Sequence, residues 1–394
     1  MTSAVAFAGA KRVMSIAGVV GIAGLVTTGI IAIVSGTGTL WSYLAAFAYW
    51  IGVALGALIL LMSLHAARAR WVVVIRRPLE VMGFCVAPFV LFFIPIAIGT
   101  NVLFAWVHET HPVTEIEAAM LRPKQIWLSP GFFIGRAAVY FAIWIPIAYF
   151  LWFWSRRQDE TGAIDLTVKQ RKLGAGGLPA VGFALTFAAF DWLMALEPDW
   201  ASTIFGVYYF AGSFVAAIAL YITVVYALEA NGHLKGLLQP SHYHSLGKLL
   251  LAFVCFWAYI AFSQLLLIWL ANLPHEVSFY ILRWDGPWRA LSILLIVGHF
   301  VIPFFVLLSK PLKTKPRLLA IVALFLLGMH WVDIFWFVLP RRNPNLPRIH
   351  LADFTAFLGI GGIAIAFGAW LLGKGSLVPK RDPYMGESVR YSPP

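Results

Sequence analysis

The stretch "FDWLMALEPDWASTIFGVY", Phe190 to Tyr208, ends an apolar run with a carboxylate, Asp191, and sets a proline, Pro198, seven residues later. The same spacing returns in "VDIFWFVLP", Val332 to Pro340, where Asp333 stands seven residues before Pro340. Seven residues of helix rise about 10 Å, so each acid sits in the outer third of a crossing if its proline marks the membrane boundary. An ionised carboxylate at that depth has to pair, or line a watery path, because hydrocarbon does not solvate it. Two such run ends in one chain point to an internal repeat.

Working outward from these two runs, stretches of about 20 apolar residues, each enough for one crossing, recur along the chain. They lie at approximately 14–34, 42–64, 79–98, 131–154, 177–197, 202–228, 248–271, 288–309, 317–339 and 352–373. The composition agrees, with 61% hydrophobic and 12% charged residues among 394. This is the balance of an all-α integral membrane protein of about ten helices. Pairing the two acid-ending runs, spans five and nine, makes spans two to five (42–197) and six to nine (202–339) two four-helix bundles of the same orientation. An axis along the membrane normal would relate them. Spans one and ten are peripheral, and residues 374–394 form a tail.

The net charge of +12 does not indicate nucleic acid, because the basic residues sit in short loops between apolar spans. With the N-terminus inside, 21 of the 29 lysines and arginines fall on the inner side and seven on the outer, leaving Arg136 within a span. That bias predicts both termini in the cytoplasm, as in a multi-pass protein of a bacterial inner membrane. Lys11 and Arg12 precede an apolar stretch, Met14 to Val34, too long for a signal peptide and without a small-residue cleavage site, so it reads as a retained first span. The only cysteines, Cys85 and Cys255, lie in apolar runs, so no iron–sulfur cluster and no CxxCH haem attachment can be built from this chain alone.

The outer loop, Asn101 to Pro130, carries Thr114 and Glu117 at capping-box spacing, which predicts a surface helix flanked by Trp106 and Trp127. The inner loop, Ser155 to Gly177, mixes charges with glycines and reads as a flexible connector. His108 and His111 outside, and His242 and His244 inside, are too few for a metal centre without further ligands.

Depth places the ionisable residues within the membrane. Arg136, about five residues below the start of span four, lies level with Asp191. The two can form a structural salt bridge or part of a polar track. His330 lies three residues before Asp333, on one helical face, and His299 of span eight reaches the same depth. Two midplane histidines admit three readings: haem ligation, satisfied core residues, or a proton relay with Asp333. Ser263, Gln264, Tyr208, Tyr209 and Thr186 are further polar groups that serve a relay or simply join helices. Glu197 and Asp199 stand at the outer rim, as an outer proton mouth or as a solvated turn.

Three strings carry a family resemblance: "FDWLMALEPDWASTIFGVYYFAG" (Phe190–Gly212), "KQIWLSPGFFIGR" (Lys124–Arg136) and "LGKLLLAFVCFWAYIAFSQLLLIWLANLPHE" (Leu246–Glu276). Over roughly residues 40–345 the chain resembles the ActF membrane subunits of bacterial alternative complex III. These are quinol:electron-acceptor oxidoreductase subunits similar to the NrfD and polysulfide reductase membrane proteins. The resemblance implies ten helices around two central four-helix bundles, and a place in the respiratory chain. It also implies partners: a sister membrane subunit, ActC, an iron–sulfur protein, multihaem and monohaem cytochrome c subunits, small membrane subunits and a terminal oxidase. Haem c and iron–sulfur clusters would sit on those partners. By resemblance Asp191, His330 and Asp333 belong to a proton pathway that Arg136, His299, Ser263 and Gln264 extend, and no catalytic quinone-binding residue carries over. Two alternatives stay open: a subunit that itself binds quinol near Arg136 and Asp191, and an independent secondary ion transporter.

Overall fold

A computed structural model describes residues 6–36, 38–107 and 124–392. Among these the chain is helical, with one isolated antiparallel bridge between Ala6 and Ser376. Ten helices are long and apolar enough to cross a membrane: Ala10–Ser35, Thr39–Ala66, Val73–Ile98, Pro130–Thr161, Ile164–Leu196, Phe205–Ala230, Pro240–Ala271, Arg289–Leu308, Pro316–Val338 and Leu351–Gly373, here spans one to ten. The chain is thus an all-α protein with the helices of a multi-pass membrane protein. The capping box expected at Thr114 and Glu117, and the pair His108 and His111, lie outside the described residues.

Three spans begin with proline at the first helical turn, where the missing N–H costs nothing; the short helix Pro274–Trp284 begins the same way. Span seven opens with a capping box in which Gln239 and His242 exchange side-chain-to-backbone bonds. Span two is the hub: most of it is buried, and it touches spans three, five, six, nine and ten. Spans three and four also touch, as do four and five, six and seven, seven and eight, eight and nine, and six and nine.

Two segments differ from the sequence reading. The stretch expected to be a flexible connector is helix on both sides of a tight turn, Thr161 to Ile164, where Gly162 adopts φ 69°. Its glycines serve packing: a Cβ at Gly174 would lie 2.9 Å from the His65 side chain, and one at Gly177 2.9 Å from Met62. Span three, read as one helix, is instead interrupted after Phe84 and continues in short helical pieces, because Pro88 and Pro95 remove backbone donors. Span eight contains a π-helical turn, Ile296–Val301, which carries His299 and precedes Pro303.

Spans one and ten pair along their length through small residues. A Cβ on Gly21 would stand 2.6 Å from the backbone of Ile363, and one on Gly24 2.7 Å from that of Gly359. Backbones approach this closely only where side chains are missing. Thr28 adds a hydrogen bond to Thr355 at 2.8 Å.

Candidate functional site

Asp191 ends span five fully buried, and its carboxylate is saturated. Arg136 donates from Nε to Oδ2 and from Nη2 to Oδ1, both at 2.8 Å; the Tyr140 hydroxyl donates to Oδ2 at 2.6 Å, and Trp127 Nε1 to Oδ1 at 2.9 Å. The guanidinium lies over Trp127 at 4.0 Å and Phe132 at 4.4 Å. A bidentate arginine held between aromatic faces is fixed in direction as well as charge. Protonating Asp191 would leave Arg136 charged, buried and unpaired.

Asp333, at the same distance from its proline, meets different chemistry. Its donors are neutral: the Tyr208 hydroxyl, to Oδ1, and Trp257 Nε1, to Oδ2 at 3.2 Å. His330 Nδ1 stands 3.8 Å from Oδ2, beyond direct hydrogen-bond range. Trp257 stacks on His299 with ring centroids 4.0 Å apart, His299 meets His330 at 6.4 Å, and Tyr49 covers His330 at 5.1 Å. Both histidines are buried, and none of their four ring nitrogens has a hydrogen-bond partner among the described residues. Gly212 makes the site fit: a Cβ there would lie 3.0 Å from Asp333 Oδ2 and 3.2 Å from His330 Nδ1.

From this group, polar side chains continue toward the face that carries Pro198 and Pro340. Beyond Tyr208, the Tyr280 hydroxyl accepts from Gln264 Nε2 at 3.1 Å. Arg283, fully buried on the Pro274–Trp284 helix, donates to Glu197 Oε1 at 2.9 Å and to the carbonyls of Phe279, Trp336 and Phe337. Burial pulls its pKa down and Glu197 opposes that; burial pushes the Tyr280 phenol up to about 12. Glu197 therefore closes the track that starts at Asp333, on the distal face. Asp199 is half-buried close to Lys124, whose pKa burial lowers while Asp199 resists, and Lys124 donates to the Pro198 carbonyl at 2.7 Å.

The remaining expected residues lie apart. Ser263 is half-buried beside Gln264 but on another side of the helix. Thr186 bonds the Gly182 carbonyl one turn back in its own helix, and Tyr209 bonds that of Ala48, which joins span six to span two. His242 is used in capping and in a contact with the Ser388 carbonyl at 3.0 Å.

Sequence reasoning missed Trp257, Tyr280 and Arg283. Arg283 looked like an outer-loop charge; its signal was the aromatic string "FYILRW" around it. Also missed was a buried network on the face that carries both termini. There Glu80 pairs with Arg76 at 2.8 Å and Arg77 at 3.2 Å, Arg77 with Asp159 at 2.5 Å, and Arg76 with Asp382 of the tail at 2.9 Å.

Among the described residues, no group of three or more His, Cys, Asp or Glu could hold a metal ion. Compared with protein-family models and with curated proteins, the chain matches none.

Proposed function

We propose that the chain is an ActF-type membrane subunit of a quinol:electron-acceptor oxidoreductase of the alternative complex III kind. In that role it scaffolds the complex and conducts protons coupled to quinol oxidation in a sister subunit. The family part of this reading is supported by the three quoted strings. The contacts of spans two to five with one another, and of six to nine with one another, support the two four-helix bundles. The charge bias supports cytoplasmic termini in a bacterial inner membrane. Electrons leave through partners, namely the sister ActC subunit, an iron–sulfur protein, the cytochrome c subunits, small membrane subunits and a terminal oxidase, and any quinone bound here would be held without a cysteine-ligated centre.

One observation carries the proton role: two buried histidines with unpartnered nitrogens lie beside an acid held only by neutral donors, at the inner end of a polar track. Such an acid can gain or lose a proton without breaking an ion pair, and unpartnered imidazole edges are natural seats for ordered water. In this proposal Asp333, His330 and His299 hold and pass the proton. Tyr208 and Tyr280 lead it by way of ordered water toward Glu197, with Gln264 and Arg283 as fixed donors that orient the path, while Asp199 adds charge at the mouth. Asp191 and Arg136, saturating each other, lock spans four and five. That saturation also disfavours a quinol between Arg136 and Asp191, whose carboxylate has no lone pair free. An independent transporter would need paired helix breaks; span three is broken, but span seven, its counterpart in the repeat, is one continuous helix.

The test is the assembled complex in liposomes with Asp333→Asn or His330→Leu. Proton translocation is expected to fall severalfold while quinol-dependent electron transfer is largely retained. If both rates matched the wild type, the relay would be abandoned.

A further inference from the structure

A second site lies outside the polar track. Spans one, two, three, six and ten enclose a cavity of about 460 Å³ that opens on the face carrying both termini. Its wall is mostly apolar, and its charged and amide side chains gather at the mouth: Arg12, Asn231 and His233. Among the described residues no aspartate or glutamate lines it. Along span six the lining runs from Leu220 to Asn231, a rise of about 16 Å, which matches one leaflet of a hydrocarbon core about 30 Å thick. The cavity exists because span one is held by span ten through the Gly21 and Gly24 contacts and barely touches span two. Phe7 sits edge-on to His233 at 5.2 Å beside the opening.

We propose that this cavity holds one acyl chain of an anionic phospholipid from that leaflet, with its phosphate at Arg12, Asn231 and His233. Charge complementarity argues for this occupant. Arg12 is exposed and makes no ion pair among the described residues, and every ionisable group lining the mouth is basic. A basic mouth over a slot one leaflet deep suits a lipid anchored by its headgroup. A quinone ring would instead need free hydrogen-bonding groups deep in the slot, where the Trp50 indole and the Cys85 thiol are already turned to the carbonyls of Phe357 and Ala364. Binding there would fill the gap between the peripheral pair of spans and the rest of the protein. This site does not depend on the respiratory reading.

The experiment is native mass spectrometry of the purified full chain in detergent, titrated with dioleoylphosphatidylglycerol or dioleoylphosphatidylcholine. Saturable retention of one phosphatidylglycerol, tighter than phosphatidylcholine, is expected. Arg12→Glu, at an exposed position, is expected to leave the thermal midpoint of the lipid-free chain in place and to weaken phosphatidylglycerol about tenfold and phosphatidylcholine little. Ala227→Trp, which fills the slot from an exposed lining position, should remove the bound lipid altogether. Equal retention of the two lipids, an unaffected Arg12→Glu, or a long-chain quinone that displaces the phosphatidylglycerol and ignores Arg12→Glu would each overturn the proposal.

Discussion

Asp191 and Asp333 show how little a residue's position in a pattern says about its chemistry. Both stand seven residues before a proline at the end of a span. One is bound by a guanidinium and accepts four hydrogen bonds; the other meets only a phenol and an indole. The difference predicts opposite responses to the same substitution. Asp191→Asn leaves a buried arginine without its counter-charge, and removal of one partner of a buried pair costs about 3–5 kcal/mol. Asp333→Asn leaves no charge behind and costs about 1–2 kcal/mol, the scale of one disturbed hydrogen bond. Thermal unfolding in detergent checks this, with the double change Arg136→Leu, Asp191→Leu expected to recover much of the loss. Equal destabilisation by the two single changes would refute the distinction. At this scale the sequence was legible only by depth. Matching heights along helices bring Arg136 to Asp191 and His299 to His330. They cannot reveal Trp257 or Tyr208 as the donors to Asp333, since which helix faces turn toward each other is decided by packing across the bundle.

Among the elements, the apolar runs were legible because a crossing needs a fixed length of hydrocarbon, and glycine was the residue whose meaning sequence could not resolve. Gly174 and Gly177 suggested a flexible loop, yet they let span five lie against span two. Of the glycines in that stretch, Gly162 is the one that turns the chain. The glycines of spans one and ten are of the packing kind as well. Within a membrane no hydrophobic drive holds two helices together, so their association rests on close van der Waals contact and on hydrogen bonds such as Thr28 to Thr355. A side chain at Gly362 would meet the Gly21 backbone at 2.6 Å. Gly362→Leu is therefore expected to separate span one from span ten while leaving spans two to nine folded. Protease cleavage after Gly36, slow in the wild type, should become fast in the variant, and the thermal midpoint of the remaining helices should change little. A global loss of folding would show instead that spans one and ten support the centre. The break in span three was written in Pro88 and Pro95, but an apolar window counts hydrocarbon and ignores missing donors, so the run reads as one helix.

For the whole molecule, orientation follows from charge rather than packing. If each of the ten long apolar helices crosses once, as proposed, both ends of the chain share one face, and the buried network of Arg76, Arg77, Glu80 and Asp159 ties the tail residue Asp382 to it. The basic excess of 21 against seven lies on that same face, and translocation across the membrane disfavours such segments. The polar track from Asp333 to Glu197 then opens on the opposite side, which would make it an outward half-path ending near the membrane centre. Its direction is the premise of the coupling proposal, and it can be measured independently of any activity. Ala67 is exposed on the face of the termini and Ser278 on the other. In intact cells a membrane-impermeant maleimide is expected to label Ser278→Cys and to reach Ala67→Cys only after lysis, with the native Cys85 and Cys255, set in apolar spans, giving little background. The reverse pattern would turn the track toward the cytoplasm. A proton held by His330 and Asp333 would then be drawn from the inner side, and the same residues would have to act as an uptake path rather than an exit.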